Sequence, residues 1–181
     1  MSTPPTTRFG SRAAALARFY DLEYRDYAED SDFYVQYAHA LDSERKLPIL
    51  ELGCGTGRLL SALSEAGFNV TGIDTSPEML ELARQRLENI GTGTARQVDL
   101  VCADMRHLEG KLGGPFNMAF CALNTFAYLL SSEEQLAMLR GLVPLLVTHG
   151  ILILDLTPPF PHFLSPDDGN LILQGTFYDK E

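Results

Sequence analysis

Short apolar runs alternate with segments of helical periodicity along most of the chain. The first run, residues 47–52, ends at glycines, and a helical pattern of Leu59, Leu60, Leu63 and Ala66 follows. Four similar runs cover residues 69–74, 98–103, 116–122 and 151–156. Because strands alternating with helices fold into a parallel sheet through right-handed crossovers, the pattern predicts an α/β protein, a three-layer α/β/α sandwich with a mostly parallel sheet. Strands covered on both faces should be almost continuously apolar, as these runs are.

Helix ends can also be located from the sequence. One leading helix is expected to run to about Asp42 from a cap at residues 30–32, with Phe33, Tyr34, Tyr37, Ala38 and Leu41 at helical spacing. Ser76 and Pro77 predict the start of a helix whose buried face holds Leu80, Ala83, Leu87 and Ile90. Ser132 with Gln135 indicates a capping box before the apolar positions Leu136, Leu139, Leu142, Val143 and Leu146.

The chain of 181 residues has the length and composition of one soluble domain. Residues 1–10 are expected to be a flexible tail, 11–45 a helical cap, 46–156 a cofactor-binding core, and 157–181 the start of an acceptor-side or C-terminal segment that is incomplete. Within this last segment, Leu171 to Tyr178 is predicted to be a strand.

The excess of acidic residues limits the classes of partner that this chain is expected to bind. A net charge of −10 repels phosphate backbones and anionic membranes, so neither a nucleic acid nor a membrane is expected as a partner. Cys54, Cys102 and Cys121 have no metal-ligand spacing and are interpreted as small buried hydrophobic residues. We therefore expect no metal site and a reducing, cytoplasmic location.

Glycines and acidic residues follow the predicted strands and should meet at one rim of the sheet. The turn Gly53-Cys54-Gly55-Thr56-Gly57 lets the backbone approach a ligand, and Asp74 ends the second strand, where its carboxylate can accept from both hydroxyls of a ribose. Asp104 ends the third strand and can accept from an adenine amino group, although it also suits a simple turn. The pattern predicts a nucleoside site.

Two ligand classes share such a site, a nicotinamide dinucleotide and S-adenosylmethionine. The spacing GxGxG, in place of the GxGxxG of dinucleotide folds, favours S-adenosylmethionine. Glu51, two residues before the first glycine, and Asp104 favour it as well. An NAD(P)-dependent oxidoreductase of the Rossmann type remains the alternative.

These segments resemble the class I, Rossmann-like S-adenosylmethionine-dependent methyltransferases from about Tyr20 to Leu156. ELGCGTGR corresponds to their first motif, VTGIDTSPEML to the second and CADM to the third. The resemblance implies S-adenosylmethionine as cofactor and S-adenosylhomocysteine as product. It implies Glu51, Gly53, Cys54 and Gly55 around the methionine moiety, Asp74 on the ribose, and Thr75, Met79, Asp104 and Met105 around the adenine.

The segment from Phe116 to Leu136 is similar to the fourth-strand region of small-molecule methyltransferases, including amino-sugar N-methyltransferases. This implies that Cys121 and Ala122 contact the cofactor and that Asn124 faces a small-molecule acceptor methylated on nitrogen or oxygen. In that subgroup an aromatic N-terminal segment covers the cofactor. Tyr24 and Tyr27 are assigned to the site on that basis, although Tyr20, Tyr24 and Tyr27 could equally pack the leading helices on the sheet.

Thr157-Pro158-Pro159-Phe160 looks like the (Asn/Asp)-Pro-Pro-(Tyr/Phe) motif of nucleic-acid and protein amide methyltransferases. That motif follows the fourth strand, whereas this one follows the fifth, so base or amide methylation loses its main support.

The catalytic residue is left open, since positioning and desolvation can be sufficient for methyl transfer. Asn124, Tyr24 and His162 are candidates for managing an acceptor proton, while His39, His107 and His149 are scattered along the chain. Relative to the family, the sheet is expected to lack the C-terminal antiparallel strand pair. Either the chain is a fragment or a partner subunit, for example in a homodimer, covers the open edge. A cofactor-binding module without catalysis is a further alternative.

Overall fold

The computed structural model describes residues 10–88 and 98–157, and its elements alternate largely as the sequence predicts. The helices are α1 (Arg12–Tyr24), α2 (Ser31–Leu41), α3 (Arg58–Glu65), α4 (Pro77–Glu88) and α5 (Ser132–Leu142). The strands are β1 (Ile49–Leu52), β2 (Val70–Asp74), β3 (Val98–Cys102), β4 (Phe116–Cys121) and β5 (Leu146–Leu154), with 3₁₀ turns at Thr125–Tyr128 and Val143–Leu145.

The five strands form one sheet in the order β3-β2-β1-β4-β5, and every pair is parallel. β1 lies at its centre between β2 and β4. The carboxyl ends of β1, β2 and β4 therefore meet beside one another, at the position where doubly wound folds bind their ligands. The predicted fold class is confirmed.

The sheet separates two hydrophobic cores because neighbouring side chains of a strand point to opposite faces. In β1, Ile49 packs with α2, α3 and α4, whereas Leu50 and Leu52 pack on the side of α5. In β4, Phe120 packs on the first face and Cys121 on the second. These two cores make the three-layer arrangement.

β3 differs from the prediction of a strand buried on both faces. Its residues are only partly buried or exposed, because it is the edge strand of the described sheet and pairs with β2 alone. Cys102 at its end is exposed, so its interpretation as a buried residue is wrong, while Cys54 and Cys121 are buried as expected.

Two helices, and not one, precede the sheet. α1 begins where the Ser11 hydroxyl accepts from the Ala14 amide at 3.1 Å, and Ala17 is its only buried residue. A helix with so little buried surface leaves a weak periodic signal. The predicted leading helix is confirmed as the second of the two, α2, with Tyr34 and Ala38 buried.

The boundaries around α5 differ from the prediction by a few residues. The capping box is formed by Ser131 and Glu134, one position before the predicted pair of Ser132 and Gln135. The helix ends at Leu142, Val143 is exposed in a 3₁₀ turn, and Leu146 begins β5 five residues earlier than expected. The start of α4 at Pro77 is confirmed, with Ser76 accepting from the Met79 amide at 3.2 Å.

Several predictions concern residues outside the described part of the chain. These are the tail over residues 1–9, Ile90, Pro158 to Phe160, His162 and the strand from Leu171 to Tyr178.

Candidate cofactor site

The glycine-rich turn between β1 and α3 has a backbone that only glycine adopts easily. Gly53 and Gly57 have φ of 74° and 77°, in the left-handed region. A Cβ on Gly53 would stand 2.3 Å from Thr125 Cγ2, and one on Gly57 would stand 2.9 Å from Ala83 Cβ. The turn thus needs glycine both for its conformation and for the close approach of its neighbours.

Asp74 connects the end of β2 to this turn. Its Oδ2 accepts from the Gly55 amide and its Oδ1 from the Ser76 amide, each at 2.9 Å. A carboxylate has about four lone-pair sites, so it retains acceptor capacity for the two hydroxyls of a ribose. Two backbone amides therefore fix the orientation of this carboxylate.

A cavity of about 410 Å³ extends from the glycine-rich turn to the end of β3. It brings together seven of the residues predicted for the cofactor site: Gly53, Gly55, Asp74, Thr75, Met79, Asp104 and Met105. Three sequence-distant segments therefore supply these residues to one concave surface, as the prediction of a common rim requires.

Asp104 lines this cavity, and its carboxylate is hydrogen-bonded to Arg106. Its Oδ1 accepts from the Arg106 amide at 2.9 Å and from Arg106 Nε at 3.0 Å, and its Oδ2 accepts from Arg106 Nη2 at 2.6 Å. The Arg106 hydrogen bonds hold the pKa of Asp104 below its usual value. Arg106, which also pairs with Glu134, lines the cavity and was not predicted. An adenine amino group would share Asp104 with this guanidinium.

A smaller cavity lies beside the first and contains a buried acid. Glu51, Cys54 and Ala122 line it, as do Tyr20 and Tyr24. Glu51 is 4% exposed, and its Oε2 has no hydrogen-bond partner within the described ranges. Burial raises the pKa of Glu51 well above its usual value, against the opposing effect of Arg58. A cationic group such as the ammonium of an amino acid would satisfy this orphan oxygen, so the residues fit the methionine moiety of S-adenosylmethionine.

The aromatic residues of α1 sit at both cavities. Tyr20 lines each of them, and its ring centroid is 4.8 Å from that of Tyr24. Tyr20 is not among the residues predicted for the site, yet its spacing of four residues from Tyr24 puts the two on one helical face. Burial raises the pKa of Tyr20 to about 12, and burial also raises the pKa of Tyr24.

Tyr27 is not brought into either cavity. It lies beyond the end of α1, and the guanidinium carbon of Arg58 stands 5.1 Å from its ring centroid. Cys121 likewise lines neither cavity, because it points into the core on the α5 side of the sheet. Burial raises the pKa of its thiol to about 12.

Asn124 holds two chain segments together. Its Nδ2 donates to Thr157 Oγ1 at 2.7 Å and its Oδ1 accepts from the Thr157 amide at 2.6 Å. Leu123 and Thr125 on either side line the smaller cavity, but Asn124 does not. Its contacts therefore give no support to the predicted acceptor-facing role.

Among residues 10–88 and 98–157, no group of three or more His, Cys, Asp or Glu side chains could hold a metal ion. Over the same ranges no helix has the length and apolarity needed to cross a membrane. His39, His107 and His149 do not line either cavity.

A parallel sheet with a glycine turn after β1, an acid after β2 and a second acid after β3 defines a Rossmann-like domain that binds a nucleoside cofactor. Comparison with known proteins identifies the family. Residues 49–150 match the family described as "Methyltransferase domain". The chain therefore belongs to the class I methyltransferases, whose cofactor is S-adenosylmethionine.

Individual relatives agree with this assignment. The chain is 37% identical over 112 residues to the cypemycin N-terminal methyltransferase of a Streptomyces species, covering 61% of this chain and 42% of the relative. It is 32% identical over 112 residues to a putative methyltransferase, YqeM, of Bacillus subtilis, covering 62% and 43%.

A solved structure shows the same fold. The amino pentose methyltransferase CalS10 of Micromonospora echinaspora, with bound S-adenosylmethionine, superimposes with a TM-score of 0.63 at 25% identity, covering 80% of this chain and 57% of CalS10. The chain thus spans about half the length of the relatives it matches.

Proposed function

We propose that this chain binds S-adenosylmethionine and transfers its methyl group to a nitrogen or oxygen atom of a small molecule. The observation that carries the proposal is the cavity that joins the Gly53–Gly57 turn, Asp74 and Asp104. In this cavity, Asp74 can accept hydrogen bonds from ribose hydroxyls, and the glycine-rich turn lets the backbone approach the ligand closely. Asp104 provides a polar group for the adenine ring, so the cavity matches the parts of an adenosine.

The chemistry of each lining residue suggests which part of the cofactor it would contact. Asp74 would accept from the ribose, while Thr75, Met79 and the Met105 amide would surround the adenine. Glu51, with an unpartnered oxygen, would receive the ammonium of the methionine moiety. Tyr20 and Tyr24 would cover that moiety from α1.

When bound, the cofactor supplies a methyl group already activated by the positive charge of its sulfonium. The protein's part is then to align the acceptor and exclude water. Tyr20 and Tyr24 suit water exclusion and hydrogen-bond donation, and their raised pKa values oppose a role as proton-accepting phenolates. An amine that enters neutral can lose its proton to solvent after transfer.

A small-molecule nitrogen is the acceptor that we favour, since one relative is named an amino pentose methyltransferase and another a cypemycin N-terminal methyltransferase. The acidic overall charge, −10, also favours a basic acceptor over an anionic one. A cytoplasmic location is consistent with the cofactor.

Thermal unfolding with ligands tests cofactor binding. S-adenosylhomocysteine at about 100 times its dissociation constant should add about 2.7 kcal/mol to the free energy of unfolding, whereas NAD should add none. Asp74→Ala should abolish the effect, and Glu109→Ala, an exposed acid in the loop after β3, should preserve it. Stabilisation by NAD alone, or unchanged affinity in Asp74→Ala, would refute the assignment.

Transfer of a labelled methyl group to a panel of amines and hydroxyl compounds tests the reaction. Methylation of a small amine or alcohol is expected. Cofactor binding without transfer to any compound in the panel would instead favour a non-catalytic cofactor-binding module.

A further inference from the structure

Two arginines connect the N-terminal helices to the glycine-rich turn. We propose that Arg58 and Arg86 are positioning residues that hold α1 and the α1–α2 connection against this turn, and that they thereby keep Tyr20 over the bound cofactor. The inference takes the identity of the cofactor from the proposed function, but the connection itself depends on contacts within this chain.

Arg58 begins α3, directly after Gly57, and reaches back to the start of α2. Its Nη1 and Nη2 contact Asp30 Oδ1 and Oδ2 at 2.5 and 2.8 Å, and Nη1 also donates to the Tyr27 carbonyl at 2.8 Å. The side chains of Arg58 and Asp30 are 11% and 16% exposed. A two-pronged ion pair shielded to this degree has defined geometry and is weakly screened by salt.

Arg86 makes a second connection from α4. Its Nη2 contacts Asp21 Oδ1 at 2.8 Å, with both side chains 22% exposed, and its Nη1 donates to the Arg25 carbonyl at 3.4 Å. Its Nε donates to the Thr56 carbonyl at 3.1 Å, within the glycine-rich turn. One guanidinium therefore joins α1, its C-terminal end and the turn.

Both connections converge on the residue that closes the cofactor site. Tyr20 precedes Asp21 in α1, and its ring would lie 3.3 Å from a Cβ placed on Gly55. Tyr20 lines both cavities. Because Arg86 holds Asp21 and the Arg25 carbonyl on either side of Tyr24, loss of its guanidinium frees the end of the helix that carries both tyrosines.

This arrangement predicts a selective effect on the cofactor. Tyr20 and Tyr24 line the smaller cavity with Glu51, whereas Asp104 and Met105 line only the larger one. Freeing α1 should therefore speed the dissociation of a ligand with a methionine moiety and leave adenosine nearly unaffected.

The test uses Arg86→Gln, Asp21→Asn and Arg58→Gln in the full chain, with S-adenosylhomocysteine and adenosine as probes. We expect the dissociation rate of S-adenosylhomocysteine to rise about tenfold in each variant, and adenosine affinity to change less than about twofold. Arg84→Gln is the matched control, since Arg84 lies on the same helix and pairs with Glu81 at 3.2 Å in an exposed contact away from α1. It should match the wild type for both probes.

Two further measurements separate positioning from general stability. Hydrogen exchange of residues 20–31 in the unliganded protein should be faster in the three variants and unchanged in Arg84→Gln. Arg86→Lys keeps the positive charge facing Asp21 but loses the planar guanidinium with its several donors. Its dissociation rate for S-adenosylhomocysteine should lie between those of the wild type and Arg86→Gln.

Equal weakening of both probes would show a merely structural role, and unchanged dissociation with unchanged exchange would refute the connection. If Arg86→Gln fails to fold, the near-isosteric Asp21→Asn removes the same ion pair and tests the proposal by the same two measurements. Failure of the wild type to bind S-adenosylhomocysteine would instead refute the proposed function, while the exchange comparison would still test the connection.

Discussion

Glu51 is a carboxyl group that its strand points into the protein interior. It lies two residues after Ile49, so it shares that residue's side of the sheet and reaches the cavity only because the strand ends at the next residue. Its burial raises its pKa well above the usual value. Burial therefore favours the neutral form of this carboxyl over the ionised form.

Stability should fall as pH rises through the pKa of Glu51. A carboxyl whose folded-state pKa exceeds its unfolded value contributes stability that is fully present below the unfolded pKa, about 4.3, and is lost as pH rises through the folded pKa. Urea unfolding of the wild type should show this decline above about pH 4.3, and Glu51→Gln should be flatter over the same range. Glu109→Gln is the control and should keep the wild-type slope; parallel curves for all three proteins would contradict the assignment.

Affinity for a cationic cofactor should change with pH in the opposite sense. Because a cation favours ionised Glu51, binding of S-adenosylmethionine should release a proton and tighten as pH rises through the same range. Calorimetry in two buffers of different ionisation enthalpy measures that proton. Proton uptake on binding, or the same release in Glu51→Gln, would count against this role.

Gly57 is a position where a single methyl group should be costly. Its φ of 77° disfavours any L side chain, and a Cβ would stand 2.9 Å from Ala83 Cβ. Gly57→Ala should lower the free energy of unfolding by about 1–3 kcal/mol. Gly113→Ala, with nothing within 4 Å of its Cβ position, is the control and should change it by less than about 0.5 kcal/mol in the same urea titration. Equal midpoints for the two variants would show that the turn can relax.

At the scale of elements, α5 offers a test of which serine begins the helix. The Ser131 hydroxyl accepts from the Glu134 amide at 3.2 Å, and the Glu134 carboxylate accepts from the Leu130 amide at 2.9 Å. Ser131→Ala should therefore cost about 1 kcal/mol in chemical denaturation. Ser132→Ala, one residue further on, should cost less than about 0.5 kcal/mol. A larger loss of stability in Ser132→Ala than in Ser131→Ala would instead support the capping box of Ser132 and Gln135 that the sequence predicts.

The elements that sequence predicts well are those whose signals are local. The strands β1, β2 and β4 are apolar throughout, and the glycine turn and the Ser76-Pro77 start carry their own backbone chemistry. These features predict Gly53, Gly55 and Asp74 at the site, because strand ends in a parallel sheet share one edge.

The remaining features depend on contacts between distant segments. α1 has one buried residue, so its sequence shows little periodicity, and its end at Tyr24 decides that Tyr20 faces the site while Tyr27 lies on Arg58. Asn124 is hydrogen-bonded to Thr157, and Asp104 forms an ion pair with Arg106. The hydrophobic and polar pattern of these segments does not predict either contact.

At the scale of the whole molecule, charge should govern which macromolecules it avoids. With 24 acidic and 14 basic residues, the chain offers few cations to replace the counterions of a nucleic acid. We expect no shift of double-stranded DNA or RNA in a mobility assay at about 50 mM salt, where phosphate contacts are strongest. A shift that weakens steeply with added salt would reveal a basic surface that the net charge conceals.

The Arg58 and Arg86 contacts also bear on where the folding unit begins. A protein trimmed to residues 49–150, the segment that matches the family, would keep all of the sheet but β5's final residues and would lose Asp21 and Asp30. Arg58 and Arg86 would then lack their carboxylate partners, and the apolar surface that Tyr34 and Ala38 cover would be exposed. For recombinant expression the N-terminal boundary therefore belongs ahead of Ser11, well upstream of the boundary that sequence similarity draws.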